Sequence, residues 1–277
     1  MVCLQTENAA LHPSTGCLLQ ASTTSRLQRF LLMGYGIASR TGLLSTRLGR
    51  AAFATAYDFY KSHWEAGEIA ALRTFVRPGT VAIDVGANIG FFTRRLAEWV
   101  RPGGLVIAIE PEARNFEALK AMLSRRGLVN VEPLQAVAAE APGLLKLQVN
   151  ALHPADHRIS ESGTEVRAVT LDGIVEEQGW PEVSLLKIDV QGAEERVLRG
   201  ALEVARRSRP AIFMEIDEAA LSAMGSNAQT VLRLLGELDY KVCRIEKGRL
   251  TAPLPVEHVV SLCRAGTYAD FVFVPSR

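Results

Sequence analysis

Val81-Ala82-Ile83-Asp84-Val85-Gly86-Ala87-Asn88-Ile89-Gly90 is the stretch that decides the fold. A short apolar run closes on a glycine turn, and helically spaced residues follow as far as Trp99. An apolar run of this length, bounded by turn residues, reads as a buried strand. Strand, turn and helix in this order form the first unit of a doubly wound sheet. Outward from it the alternation continues. Strands are expected at residues 105–109, 129–134, 144–149, 166–169, 185–190, 211–216, 241–245 and 271–274. Helices are expected at 65–75, 112–126, 171–178, 193–207 and 219–238. The fold class is therefore α/β: a doubly wound, mostly parallel sheet with both faces covered, closed by a C-terminal antiparallel edge.

Residues 1–60 read as a tail and an N-terminal helical arm, and residues 61–277 as one domain. No acidic residue occurs between Ala9 and Tyr57, whereas Arg26, Arg29, Arg40, Arg47 and Arg50 are spread along that stretch. An arm packed on the domain and a targeting segment both fit that pattern. No apolar run reaches the roughly 18–20 residues of a membrane-spanning helix. The net charge of +1 lacks the basic excess of a nucleic-acid binder, so no nucleic-acid partner is expected. Cys3, Cys17, Cys243 and Cys263 form no Cys-x-x-Cys pair. They read as reduced structural thiols of a cytoplasmic protein, and no metal site is expected.

The turn itself selects a class of ligand. Gly86 permits a sharp backbone turn, Gly90 a close start of the next helix, and Asn88 tolerates unusual backbone angles. The spacing is Gly-x-x-x-Gly, not the Gly-x-Gly-x-x-Gly of nicotinamide sites. Asp84 stands just before the turn, where a carboxylate is a poor neighbour for a pyrophosphate and a good one for an ammonium and a sulfonium. S-adenosylmethionine carries both. Glu110 follows at about 20 residues, ending the second strand, where a carboxylate accepts both ribose hydroxyls. Gln135, after the third strand, is placed for an adenine contact.

A second block carries a family resemblance: Leu186-Lys187-Ile188-Asp189-Val190-Gln191-Gly192-Ala193-Glu194, continuing Arg196-Val197-Leu198-Arg199-Gly200-Ala201. With Asp84–Gly90, Glu110-Pro111, Thr170-Leu171-Asp172 and Arg209–Glu215, it resembles the FkbM-type methyltransferases over roughly residues 65–245. The family's usual form has Glu where this chain has Gln191. The resemblance implies a Rossmann-like class I methyltransferase fold with S-adenosyl-L-methionine as cofactor. It also implies methyl transfer, mostly to a hydroxyl oxygen of a sugar or natural-product intermediate.

O-methylation needs a base near the hydroxyl or a metal that acidifies it. Asp189 ends its strand at the ligand edge of the sheet and is a candidate base, metal ligand or orienter of the acceptor; a helix N-cap is its structural reading. Glu194 is either part of the site or a favourable first-turn acid. Glu215 ends the next strand, beside Asp189, and is a candidate substrate-binding residue; two carboxylates that close could bind a divalent cation or share a proton. The polar segment His153–Arg158 resembles an acceptor-side loop of the family. His157 has the unperturbed pKa of a general base, and Arg158 can clamp an acidic acceptor group. Two other functions keep the same fold: a nicotinamide-dependent oxidoreductase, and a scaffold that binds S-adenosylmethionine without catalysis.

Overall fold

The computed structural model describes residues 66–148, 158–159, 163–264 and 269–276. The elements run in chain order as α1 (Ala66–Leu72), a 3-10 turn (Arg73–Phe75), β1 (Val81–Val85), α2 (Phe91–Trp99), β2 (Leu105–Ile109), α3 (Ala113–Arg126), β3 (Val131–Leu134), β4 (Val137–Ala138) and β5 (Gly143–Gln148). They continue as β6 (Arg158–Ile159), β7 (Thr164–Val169), α4 (Leu171–Glu177), β8 (Val183–Ile188), α5 (Glu194–Arg199), α6 (Leu202–Arg207), β9 (Ala211–Ile216) and α7 (Glu218–Ala223). The last are α8 (Ala228–Glu237), β10 (Tyr240–Cys243), β11 (Ile245–Glu246), β12 (Arg249–Leu250), α9 (Val256–Arg264) and β13 (Ala269–Pro275).

The main sheet has the order β3-β2-β1-β8-β9-β13-β10. Pairing is parallel from β3 through β9, and β13 is antiparallel to both β9 and β10. The expected antiparallel element is therefore wedged one place in from the edge, with β10 outside it. Strand order reverses between β1 and β8, which opens a crevice beyond Val85 and Ile188. A four-stranded sheet, β4-β7-β5-β6, stands beside it.

Alternate residues of each strand face opposite layers. Ile83, Ile107, Leu186, Ile212 and Phe271 pack beneath helices that include α5, α8 and α9 through Val197, Val231 and Val259. Ala82, Val106, Leu185, Ala211 and Val272 face α1 and α2 through Leu72, Phe92 and Leu96. Because both faces are covered, β1 and β8 are buried along their whole lengths. That is why they read in the sequence as unbroken apolar runs.

Two long helices expected from the sequence are each divided. Over residues 193–207 the chain restarts at α6, because the Asp172 carboxylate accepts the amides of Glu203 (3.1 Å) and Val204 (2.8 Å). Over 219–238 it divides into α7 and α8, capped by the side chains of Asp217 and Asn227. The third strand starts at Val131, leaving Val129 90% exposed. Helix α9 and the β11–β12 hairpin were not expected. The arm at residues 1–60 and the His63-Trp64-Glu65 segment lie outside the described residues. No described helix is long and apolar enough to cross a membrane.

Phe271 is fully buried in β13, the strand that joins β10 to the parallel part of the sheet. Phe271→Ala is expected to lower unfolding free energy by about 3–5 kcal/mol, measured by urea denaturation.

Candidate active site

The turn at residues 86–90, the candidate cofactor site, is built by close packing. Gly86 has φ +76°, and a Cβ on it would lie 1.9 Å from the Asp189 carbonyl oxygen. A side chain there would drive β1 and β8 apart at the crevice. Asn88 adopts φ +50°, the left-handed conformation its short polar side chain tolerates. Gly90 has φ +93° and is the N-cap of α2. A Cβ on it would meet the side chains of Met122 and Leu119 of α3, so the absence of a side chain lets α2 start close against α3.

Asp84 is fully buried. Its Oδ2 accepts the Thr93 hydroxyl at 2.6 Å, and its Oδ1 lies 3.1 Å from Lys187 Nζ. No donor is aligned on Oδ1 as a hydrogen bond, so it is the lysine charge that holds it. Asp84 thus stands behind the turn, facing the interior. The sequence alone hid its partners, because Thr93 and Lys187 are both types usually found on surfaces.

Glu110 is 4% exposed. Its carboxylate accepts the Asn88 amide at 2.8 Å, the Glu112 amide at 3.0 Å and the Asn115 side chain at 3.4 Å. Burial raises its pKa to about 7, against the lowering effect of these donors and of the Lys187 charge. Beyond it, Pro111, Glu112, Ala113, Gln135, Leu147, Thr164, Glu165, Val166 and Arg167 line a cleft of about 240 Å³. Gln135 is exposed on its wall.

Asp189 follows β8, and its amide donates to Val85 O at 3.1 Å. Its side chain is 36% exposed. Ala193 is the N-cap of α5, so Asp189 is not a helix cap. The Gln191 amide donates to Asp189 Oδ1 at 3.3 Å and to Glu215 Oε1 at 3.5 Å. The structure therefore joins Asp189 and Glu215 through Gln191. Glu194 is buried: its Oε1 accepts the Gly192 amide at 3.1 Å, and its Oε2 has no hydrogen-bond partner. Desolvation raises the Glu194 pKa to about 7, with the Asp189 charge adding to the rise.

His157 lies outside the described residues. Arg158 belongs to β6, opposite Gln148 of β5, and its side chain is likewise outside them. Thr170-Leu171-Asp172, part of the family-like pattern, proves structural: Thr170 caps α4 and Asp172 caps α6.

The family model described as "Methyltransferase FkbM domain" matches residues 84–242. The 31-O-demethyl-FK506 methyltransferase FkbM of Streptomyces tacrolimicus is 32% identical over 158 residues, covering 45% of this chain and 60% of that protein. The AMB antimetabolite synthetase AmbE of Pseudomonas aeruginosa is 27% identical over 205 residues, covering 60% of this chain and 10% of that protein. The chain thus spans less than two thirds of either relative. The crystal structure of methyltransferase FkbM from Methylobacillus flagellatus KT superposes with a TM-score of 0.44 at 15% identity, over 89% of this chain and 59% of that one.

Two outcomes follow from this geometry. Gly86→Ala combines an unfavourable φ with a backbone clash, and is expected to cost more than about 2 kcal/mol in urea denaturation. Glu110 and Glu194 bind protons more tightly folded than unfolded, so folding stability falls as pH rises from about 4.5 to about 7. The melting temperature of the ligand-free protein should drop across that window. Glu194→Gln, which keeps an acceptor for Gly192, should flatten the drop; an unchanged slope would show that Glu194 does not contribute.

Proposed function

The chain belongs to the FkbM methyltransferase family, a class that takes its methyl group from S-adenosylmethionine, and on that premise we propose that it methylates a hydroxyl oxygen of a sugar or natural-product intermediate. One observation carries the reading: Asp189, whose carboxylate is partly exposed, donates its backbone amide to the carbonyl of Val85, the last residue of β1, directly against the Gly86 turn. A donor seated on that turn and an acceptor seated on Asp189 would meet. The relative named for 31-O-demethyl-FK506 supports a hydroxyl-bearing natural product as the acceptor class.

The residues fit the cofactor. When bound, S-adenosylmethionine supplies a methyl group already activated on a sulfonium. Gly86, Asn88 and Gly90 would shape the turn beneath it. Gln135 and the cleft beside Pro111 would take the adenine, with Leu147 and Val166 as apolar walls. A carboxylate has about four acceptor positions, and Glu110 uses three of them. One ribose hydroxyl takes the fourth, and a second requires Asn115, the longest of the three contacts, to let go.

Charge assigns the remaining roles. Lys187 already balances Asp84, so the accessible anion that faces the cationic donor is Asp189. Asp189 takes the hydroxyl proton as the acceptor oxygen gains the methyl and the carbon–sulfur bond breaks. The carboxylate then loses one negative charge as the donor loses its positive one. The net charge of the site is unchanged across the step, so little reorganisation accompanies it. Glu215 positions Asp189 through Gln191. His157 is the second candidate base, and Arg158 the candidate clamp for an acidic acceptor group.

Calorimetric titration with S-adenosylhomocysteine tests the cofactor side. Wild type should bind, and Glu110→Ala should weaken binding by about tenfold or more; no binding by wild type at millimolar ligand would refute the reading. On a panel of hydroxylated natural products and sugars, Asp189→Asn should keep cofactor affinity and lose roughly 10²–10⁴ in transfer rate. Full turnover by Asp189→Asn and a loss in His157→Ala would move the base to His157.

A further inference from the structure

Lys187 takes no part in the chemistry above, yet its ammonium group sits where the two halves of the site meet. The side chain is 3% exposed. Its Nζ donates to Gly86 O at 2.7 Å and Val85 O at 3.2 Å, and lies 3.1 Å from Asp84 Oδ1 and 3.8 Å from Asp189 Oδ2. The Phe92 ring, 5.4 Å away, closes one side.

A counterion for Asp84 needs only the carboxylate. Here the donors of the ammonium, which number three, go first to two backbone carbonyls of the cofactor turn. Those carbonyls belong to a segment that turns through left-handed residues at 86 and 88, a conformation the chain must be held in. The fourth oxygen belongs to the carboxylate on the acceptor side. We infer that Lys187 is a positioning residue that locks the cofactor turn to Asp189. It acts through the carbonyls of Val85 and Gly86 on one side and the Asp189 carboxylate on the other. In-line methyl transfer tolerates little misplacement between donor and base, and this cation fixes both to one point. The inference rests on the reading of the turn and Asp189 as the two sides of a methyl-transfer site.

The test separates a counterion from a positioning group. Lys187→Met alone leaves Asp84 buried and uncompensated, and should lose both stability and ligand affinity. Asp84→Asn/Lys187→Met carries no unpaired charge and keeps an acceptor for the Thr93 hydroxyl. Its melting temperature should return to within a few degrees of wild type, while S-adenosylhomocysteine should bind it roughly tenfold or more weakly than it binds Asp84→Asn alone by calorimetry, because Gly86 O has lost its donor and Val85 O keeps only the Asp189 amide. Equal affinity in the double variant and Asp84→Asn would reduce Lys187 to a counterion and overturn the inference. A measurement on the wild type needs no variant to fold: the ¹⁵Nζ resonance of Lys187 in lysine-labelled protein should move when S-adenosylhomocysteine saturates the turn, and an unmoved resonance at saturation would equally overturn it. A wild type that binds no S-adenosylhomocysteine would instead remove the methyltransferase reading itself.

Discussion

The site depends on one ion pair. Asp84 and Lys187 are register partners across the parallel pairing of β1 and β8, at the point where strand order reverses. Both are buried among apolar residues, where a charge without a partner is costly. Removing Lys187 leaves Asp84 buried without a counter-charge, a loss of about 3–5 kcal/mol in comparable sites. The pair therefore ties register to charge: a slip of one residue between β1 and β8 would bury two lone charges and flip every neighbouring side chain to the wrong face. Thr93 extends the tie to α2 by donating to the other oxygen of Asp84. Strand, strand and helix are thus fixed around the turn before any ligand arrives.

That arrangement leaves two further carboxyls poised on either side of the pair. Glu110 and Glu194 are both desolvated, and both have pKa values near 7. Their surroundings differ in kind. Glu110 is met by two amides and an amide side chain, donors that favour its charged form, so a ligand hydroxyl donating to it acts in the same direction. Glu194 is met by backbone amides alone, leaves one oxygen without a hydrogen-bond partner, and has the Asp189 charge nearby opposing its ionisation. Protonation near neutral pH is therefore linked to occupancy on the Glu110 side and to the charge of Asp189 on the Glu194 side.

The order of elements was legible in the sequence where burial on both faces leaves a continuous apolar run, as at residues 81–85 and 105–109. Glu110 was legible because its distance from the turn is set by one helix and one strand. The divisions within 193–207 and 219–238 were not, because they depend on caps: Asp172 reaches α6 from 31 residues away in sequence. Lys187 stands within the family-like block, where the sequence alone assigns it no role. A lysine in a strand carries no sign of whether its amine ends in water or against two carbonyls, and only the register of β8 on β1 decides. The place of Asp84 in the first strand, just before the turn, is legible in the sequence, whereas its burial and its partner are set by the third dimension.

The ends of β8 and β9 show how one residue can set the character of an edge. Asp189 and Glu215 end adjacent strands, and Gln191, itself at φ +54°, spans them with one amide. The family pattern that this block resembles has glutamate at that position. A carboxylate there would bring three like charges to within hydrogen-bonding distance, and such a cluster settles only by taking up a proton or a cation. The amide links the two carboxylates by donation and adds no charge of its own. Asp189 is thereby bound on one oxygen by a neutral donor and faced on the other by the Lys187 cation, so its orientation is set from both sides while part of it remains open to solvent. Held in this way, beside the Gly86 turn and the Asp84–Lys187 pair, Asp189 is the carboxylate to which the proposed reaction assigns the acceptor proton.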